Sequence, residues 1–229
     1  MVATATPCLP DLDLALPGPG AVDVWRVELT GDTGYCAGVL SGAERSRLAR
    51  RCGDARRRFV RSHGALRDIA GAYMHTRAAD VELYCAHGAA PCMPGGLRVS
   101  LSHCEEVALI AVARCSVGVD AETLATAGDD DLDDLADLVM HPRELAAYER
   151  AGVAQRPRAF LRLWTRKEAV LKARGVGIGD RLLSELDVGG STCGGLSLAD
   201  LDLGSGAPLV GAVALDHPEV RVRVREWWR

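Results

Sequence analysis

The sequence predicts an α+β fold with mainly antiparallel sheets. Short stretches in which apolar and polar residues alternate, as in half-buried strands, recur along the 229-residue chain. Between them lie longer stretches that carry helix-starting and helix-ending residues, such as a capping box at Ser41 and Glu44. The order of strand, helices, strands, and then helices and strands again is typical of the α+β class.

The first predicted strand contains Trp25, Val27 and Leu29, which alternate with charged residues. Val22 and Val24 stand in the opposite phase. The beginning of this strand is therefore expected to be bulged or covered on both faces.

Two helices are predicted next, in an arginine-rich region. The capping box at Ser41 starts the first helix, which is expected to stop at Cys52 and Gly53, and Asp54 is expected to cap the second. The predicted inner face of the second helix consists of Phe59, His63, Leu66, Ala70 and Tyr73. The arginines of the region are Arg45, Arg47, Arg50, Arg51, Arg56, Arg57, Arg58, Arg61 and Arg67. They form either a solvated helix face or an anion-binding flank, and both interpretations are open.

The middle of the chain is predicted to hold several short strands. A strand is expected at Val81–Cys85, a loop at His87–Gly96, and an alternating strand that leads into Ser102 and His103. The next two strands, Val107–Val112 and Val117–Asp120, are expected to pair as a hairpin around residues 114–116. Because side chains alternate along a strand, Asp120 and Glu122 point to the same side.

The last third of the chain opens with an acidic segment, Asp129–Asp134, which the leucine spacing predicts to be a short, mostly solvated helix. A further helix is expected to start at His141, with Pro142 in its first turn. The stretch Phe160–Gly175 has the composition of a helix that ends at its glycine. The final predicted strand, around Val222, alternates with arginines and has one wet face.

Composition and charge exclude several classes of protein. The net charge of −4 argues against a general nucleic-acid or anionic-membrane binder. No apolar stretch approaches the roughly 18 residues of a membrane span, and the first residues do not resemble a signal peptide, so a cytoplasmic protein is expected. The eight cysteines are scattered without a C-x-x-C pair and are expected to be free thiols rather than zinc ligands.

One helix stripe suggests a functional site. Phe160, Trp164, Glu168 and Lys172 follow one another at four-residue intervals, so the aromatic residues carry Glu168 and Lys172 towards the interior. With Asp120 and Glu122, Glu168 makes a set of three carboxylates, the hard oxygen ligands that suit Mg²⁺. Lys167, Lys172 and His103 supply donors for a diphosphate. An exposed Glu–Lys pair is the plainer alternative for the stripe.

The stretches Val117–Glu122 and Trp164–Lys172 resemble the two signature motifs of 4′-phosphopantetheinyl transferases. Ser100–His103 is similar to the motif that precedes them in the larger, Sfp-type class of this family. The resemblance implies two similar α+β halves, each an antiparallel sheet packed with helices, in a monomeric pseudo-dimer that we expect to divide into residues 1–114 and 115–229. One departure is that the Gly-Lys-Pro stretch of the large class has no lysine here, at His87–Pro91.

The resemblance also implies an activity and a set of residues. The family transfers the 4′-phosphopantetheine arm of coenzyme A to a serine of an apo carrier protein and releases adenosine 3′,5′-bisphosphate. The large class usually serves polyketide and nonribosomal peptide synthetases in secondary metabolism, although fatty-acid carriers are open. Asp120, Glu122 and Glu168 are expected to bind Mg²⁺, and Lys172 and Lys167 to neutralise the phosphates. Arg61, Ser102 and His103 are expected to bind the nucleotide end of coenzyme A.

The residues leave two questions open. The base for the serine is Glu168, a metal-bound water or Glu144, and the sequence does not choose among them. Competing functions are another Mg²⁺-dependent phosphoryl or nucleotidyl transferase, which shares the carboxylates, and a non-catalytic module that binds carrier proteins or nucleic acid through the arginine-rich helices.

Overall fold

The structure is a computed structural model that describes residues 14–83, 93–124, 132–176, 183–203 and 208–229. The helices of these residues are α1 (Gly34–Val39), α2 (Gly42–Leu48), α3 (Gly53–Met74), α4 (Leu132–Val139), α5 (Pro142–Glu149) and α6 (Arg156–Arg174). The strands are β1 (Ala21–Glu28), β2 (Arg98–Cys104), β3 (Val107–Ala113), β4 (Val117–Thr123), β5 (Thr192–Cys193), β6 (Leu196–Asp200), β7 (Leu209–Leu215) and β8 (Arg221–Trp227). The predicted α+β class is confirmed. The strand expected at Val81–Cys85, the loop at His87–Gly96 and the acidic segment Asp129–Asp134 lie partly outside the described residues.

The helix ends follow the local sequence signals. At the start of α2, the Ser41 hydroxyl accepts a hydrogen bond from the backbone N–H of Glu44, whose carboxylate accepts one from the backbone N–H of Ser41, which confirms the predicted capping box. α6 ends at Gly175, which has a left-handed backbone with φ of 68°. The prediction that Asp54 caps α3 is wrong by two residues, because Cys52 is the N-cap and the helix begins at Gly53.

The strands form two four-stranded sheets. The first has the order β2-β3-β1-β8 and the second the order β4-β7-β6-β5. All neighbouring strands are antiparallel except β1 and β8, which run parallel. The expectation of mainly antiparallel sheets is therefore confirmed.

The predicted hairpin of residues 107–120 is wrong. β3 lies between β2 and β1 in the first sheet, so both of its edges are already paired. The chain crosses to the second sheet at residues 114–116, and β4 pairs with β7. The hairpin partner of β3 is β2, and Glu105 in the turn between them has a left-handed backbone with φ of 40°. Apolar alternation identifies strands but does not say which strands pair.

Each sheet is covered on its outer face by one long helix. Buried residues of α3 pack with β1, β2 and β3 in one apolar core, and buried residues of α6 pack with β6 and β7 in a second. A third core lies between the sheets and includes Val22 and Val24 of β1 and Val117 and Val119 of β4. β1 is thus covered on both faces at its start, as predicted. Among the described residues, no helix is long and apolar enough to cross a membrane.

Strand β8 comes late in the sequence yet belongs to the first sheet. Asp23 of β1 is fully buried and pairs with Arg223 and Arg225 of β8, at 2.5 and 3.4 Å. Trp227 of β8 donates a hydrogen bond of 2.9 Å to the buried Asp68 of α3. These contacts attach the late strand to the early part of the chain. The division into residues 1–114 and 115–229 stays a prediction.

Gly118 fixes the distance between β4 and α6. A Cβ atom at this position would overlap the carbonyl oxygen of Ala169 and lie 2.5 Å from the backbone nitrogen of Ala173. Only a glycine lets the strand come this close to the helix backbone. The approach brings the carboxylates of β4 and α6 to the same place.

We therefore expect Gly118→Ala to lower the free energy of unfolding by about 2 kcal/mol or more, because the added methyl group overpacks the contact. Urea denaturation measures this change. Gly38→Ala is the matched control, since a Cβ at Gly38 of α1 meets nothing within 4 Å. Equal stability of the two variants would contradict the close approach.

Candidate active site

A cleft of about 430 Å³ opens where β2, β4 and α6 meet the region of α2 and α3. Its lining residues are Arg47, Arg51, Phe59, His63, Leu101, Ser102, His103, Asp120, Glu122, Trp164, Glu168 and Lys172. A larger cavity of about 730 Å³ lies beside the C-terminal end of α3, but it contains none of the three predicted carboxylates. The smaller cleft is the one with a reactive set of groups.

The acidic group of the cleft consists of Asp120 and Glu122 from β4 and Glu168 from α6. Asp120 and Glu168 are buried, at 3% and 8% exposure, and Glu122 is half-buried. The predicted helix stripe is the reason that Glu168 arrives here, since Trp164 and Lys172 line the same cleft and Phe160 stacks on Trp164 with ring centroids 6.1 Å apart. The structure thus brings the three predicted carboxylates to one cleft.

Asp120 is the centre of the hydrogen bonding. Its Oδ1 accepts a hydrogen bond of 2.6 Å from the Ser102 hydroxyl and one of 2.7 Å from the Lys172 ammonium. Lys172 also donates to the carbonyl oxygen of Val119, at 3.3 Å. Lys172 therefore lies beside the carboxylates, and Ser102, which was expected at the nucleotide end of coenzyme A, uses its hydroxyl to bind Asp120.

Burial and mutual repulsion act on the other two carboxylates. The pKa of Glu168 is raised by its burial and then by the charge of Asp120, while Lys172 acts in the opposite direction. The pKa of Glu122 is raised by the same two causes, and a hydrogen bond from Trp164 opposes the rise. The ionised cluster is therefore an unfavourable arrangement unless a cation joins it.

The basic group of the cleft consists of Arg47, Arg51, His63 and His103. The Arg51 guanidinium lies 4.4 Å from the centroid of the Phe59 ring, and the His63 ring stacks on Phe59 with centroids 4.0 Å apart. His103 follows Ser102 on β2 and reaches solvent. The pKa of its ring is lowered, chiefly because the surrounding protein desolvates it, and electrostatic interactions with His63, Lys172 and Arg58 add to this effect.

Sequence reasoning did not single out Arg47, Arg51 or His63. Arg47 and Arg51 were grouped with all the arginines of the region, and His63 was expected only on an inner helix face. The available signal was the four-residue step from Phe59 to His63 on α3, whereas Arg51 follows the end of α2 and has no such signal. His63 is held by Glu44, whose Oε1 lies 3.3 Å from its Nδ1.

The structure does not bring Arg61 into the cleft. Arg61 is buried on α3, and its guanidinium donates to the backbone carbonyls of Glu28, Asp32 and Arg229 at 2.8 to 3.3 Å. Its guanidinium also lies 5.1 Å from the centroid of the Trp227 ring. The expected nucleotide contact of Arg61 is corrected to a structural one, because these carbonyls occupy its donors.

Lys167 and Glu144 also lie away from the cleft. Lys167 is fully buried and pairs with the carboxylate of Glu144 at 2.7 Å. Neighbouring residues on a helix point about 100° apart, so Lys167 faces away from the cleft that Glu168 enters. The expected phosphate contact of Lys167 is therefore corrected to a structural contact with Glu144. Glu144, one of the candidates for the base that deprotonates the serine, also lies outside the cleft.

Two buried oxygen atoms bear on metal binding. Asp120 Oδ2 and Glu168 Oε1 are buried and have no hydrogen-bond partner within the described residues. Buried carboxylate oxygens need a partner, and a hard divalent cation suits them. Within that same part of the chain, no group of three His, Cys, Asp or Glu side chains is arranged to hold a metal ion as it stands. The donor set fits Mg²⁺, and the Mg²⁺ site itself stays a prediction.

A cleft with clustered carboxylates, a lysine beside them and a basic group nearby is typical of enzymes that act on phosphate compounds. Residues 116–203 match the 4′-phosphopantetheinyl transferase superfamily. The chain is also 33% identical to the 4′-phosphopantetheinyl transferase HetI of Nostoc sp. (strain PCC 7120), over 73% of each protein. The chain therefore belongs to the 4′-phosphopantetheinyl transferase superfamily, and its activity is phosphopantetheinyl transfer to carrier proteins.

The raised pKa of Glu168 leads to a prediction about stability. A raised pKa in the folded state means that the ionised carboxylate costs stability, and this cost grows as the pH rises through that pKa. In EDTA at pH 8, Glu168→Gln should therefore have a higher Tm than wild type, and the difference should shrink towards pH 5. Calorimetry measures the Tm of wild type and of Glu168→Gln at pH 8 and at pH 5.

Glu149→Gln, which changes an exposed glutamate of α5, is the control and should leave Tm unchanged. A Tm of Glu168→Gln at or below that of wild type in EDTA at pH 8 would show that repulsion does not operate in the cluster.

Proposed function

We propose that this chain transfers the 4′-phosphopantetheine arm of coenzyme A to a serine of an apo carrier protein in a Mg²⁺-dependent reaction and releases adenosine 3′,5′-bisphosphate. The observation that carries the proposal is that two groups of opposite charge line one cleft. Coenzyme A has anionic phosphates at two places, the diphosphate and the 3′-phosphate. The acidic group can bind the diphosphate through a shared cation, and the basic group can bind the 3′-phosphate directly.

The acidic group would hold the metal ion through Asp120, Glu122 and Glu168. When bound, Mg²⁺ supplies positive charge to the diphosphate oxygens, on which negative charge grows during transfer. The partnerless oxygens of Asp120 and Glu168 support this assignment. Ser102 orients Asp120 through its hydrogen bond.

Lys172 is the cation that this chain itself supplies to the reacting phosphates. Its ammonium lies at the edge of the carboxylates and is about 29% exposed, so it reaches both Asp120 and the open cleft. A fixed cation of this kind stabilises the charge on the leaving phosphate.

Glu168 is the residue that we assign as the base. The carrier serine must lose its proton as its oxygen attacks the β-phosphorus and the bond to the leaving phosphate breaks. Glu168 lines the cleft and has two carboxylate oxygens, so one oxygen can bind Mg²⁺ while the other accepts the proton of the serine. Glu144 does not reach the cleft, since Lys167 and backbone groups occupy its carboxylate.

We further propose that the partners are carrier proteins of polyketide or nonribosomal peptide synthetases and that the protein works as a cytoplasmic monomer. The Ser102–His103 motif, which resembles that of the large class of the family, supports the first part. We also propose two related halves, residues 1–114 and 115–229. The strand orders β2-β3-β1 and β6-β7-β4, each covered by one long helix, support the likeness of the two halves, although β8 of the second half pairs with β1 of the first.

The transfer reaction can be tested with coenzyme A, Mg²⁺ and a panel of apo carrier proteins, in which intact-mass spectrometry detects the added arm. We expect faster modification of polyketide and nonribosomal peptide carriers than of fatty-acid carriers. Asp120→Asn and Glu168→Gln should fold and lose on the order of 10²-fold or more in rate. Glu122→Gln should lose less, because Glu122 is the least buried of the three.

The dependence of the rate on Mg²⁺ concentration separates ligand loss from misfolding in these variants. Near-normal rates for Glu168→Gln at ordinary Mg²⁺ concentrations would refute the assignment of Glu168. Absence of the added mass on every carrier would refute the transfer itself.

The basic group makes a separate prediction. Arg51→Ala and His103→Ala should weaken the binding of coenzyme A by about tenfold each, since a charge-assisted hydrogen bond contributes about 1.5 kcal/mol or more. They should weaken the binding of 3′-dephospho-coenzyme A much less. Calorimetry with both ligands measures the difference.

Arg50→Ala serves as the control, because the exposed Arg50 does not line the cleft. An equal loss of affinity for both ligands in Arg51→Ala would place the 3′-phosphate elsewhere.

A further inference from the structure

Lys167 has an unusual position for a lysine. Among the residues that the structure describes, it is the largest side chain that is almost completely buried, and its ammonium has three acceptors. They are a carboxylate oxygen of Glu144 at 2.7 Å and the carbonyl oxygens of Leu183 and Leu186 at 3.0 and 2.5 Å. An ammonium has three N–H donors, so all of them are used.

Glu144 is occupied to the same degree. Its Oε1 accepts a hydrogen bond of 2.6 Å from the backbone N–H of Val188, and its Oε2 accepts one of 2.9 Å from the backbone N–H of His141 at the start of α5. Lys167 and Glu144 together therefore join three parts of the fold: α6, the start of α5 and the segment of residues 183–188. We call this arrangement the Lys167 clamp.

We propose that the Lys167 clamp is a positioning device that sets the rotation of α6 and thereby the place of the Glu168 carboxylate in the cleft. This inference rests on the proposed function. Lys167 and Glu168 are consecutive, so any rotation of α6 that moves one moves the other by the same angle. The close contact at Gly118 fixes the distance of α6 from β4, and the clamp fixes α6 from its other side.

The first half contains the same construction without a carboxylate of the site beside it. Arg67 of α3 pairs with Glu44 at 3.2 Å and donates to the carbonyls of Ala78, Ala79 and Val81. Glu44, like Glu144, is the capping-box glutamate of the preceding helix. In both halves the cation lies 23 residues after its glutamate. Arg67 is therefore a matched buried cation that does not hold α6.

The repetition also bears on why a lysine is buried here at all. A buried ion pair contributes little net stability compared with apolar residues of similar volume. Its directional hydrogen bonds, in contrast, select one orientation of the helix. A site that must hold a carboxylate within a fraction of an ångström benefits from such a device.

The test compares Lys167→Met, Arg67→Met and the double variant Lys167→Met with Glu144→Gln, all in the full chain. Lys167→Met removes the ammonium and keeps an unbranched side chain. We expect its kcat for transfer to fall by about tenfold or more, because small displacements of a catalytic group are costly. Its KM for coenzyme A should change by less than about threefold, since the basic group is untouched.

The control variant should affect KM rather than kcat. Arg67→Met should keep kcat within about threefold, and any change should fall on the KM for coenzyme A, because Glu44 also holds His63. The double variant leaves no unpaired buried charge, so it should recover most of the stability that Lys167→Met loses. Its kcat should remain low, since the directional anchor is still missing.

Backbone amide exchange of residues 168–172 provides a readout that does not need activity. Exchange should be faster in Lys167→Met and in the double variant than in wild type, and unchanged in Arg67→Met. If the wild type transfers nothing, the proposed function fails, and the exchange rates still decide on the clamp.

Two results would overturn the inference. One is a folded Lys167→Met or double variant that keeps kcat within about twofold of wild type, a change too small for a displaced catalytic group. The other is amide exchange at 168–172 that no variant changes.

Discussion

The close approach of β4 to α6 at Gly118 is the constraint on which the site depends. Asp120 and Glu122 come from a strand edge, whereas Glu168 and Lys172 come from a helix, and no local sequence rule brings them together. The missing side chain at Gly118 lets the backbone of the strand lie against Ala169 and Ala173, which directly follow Glu168 and Lys172 in the helix. The motif Val117–Glu122 therefore contains Asp120 and Glu122 and also Gly118, whose missing side chain lets these carboxylates approach Glu168 and Lys172.

The buried acidic residues differ in how fully they are used, and this difference identifies the site. Glu44, Glu144, Asp23 and Asp68 have hydrogen bonds or ion pairs to both carboxylate oxygens, and they hold helices and strands together. Asp120 and Glu168 each keep one buried oxygen without a partner in the part of the chain that the structure describes. Folding alone gains nothing from such an atom. A cation in the cleft, as in the proposed Mg²⁺ site, would supply the missing partner.

The sequence predicted much of this arrangement and failed in a consistent way. The stripe of Trp164, Glu168 and Lys172, the glycine at the end of α6 and the shared side of Asp120 and Glu122 follow from helix and strand periodicity, and all of them were correct. The hairpin at residues 107–120 was wrong, because pairing depends on tertiary contacts that periodicity does not record. Arg61 and Lys167 were assigned through the family resemblance, which does not record hydrogen-bond partners, and both are buried among carbonyl oxygens from other parts of the chain.

The comparison of the two long helices shows how one scaffold presents a single open carboxylate. In α3 the residue after the clamped Arg67 is Asp68, and in α6 the residue after the clamped Lys167 is Glu168. The oxygens of Asp68 accept hydrogen bonds from Tyr35, Trp227 and Arg229, so the carboxylate is neutralised within the protein. Glu168 has Asp120 and Lys172 as neighbours and keeps one buried oxygen without a hydrogen-bond partner among the described residues. Two similar frameworks therefore perform different tasks, because β8 supplies partners to one carboxylate while β4 brings further carboxylates to the other.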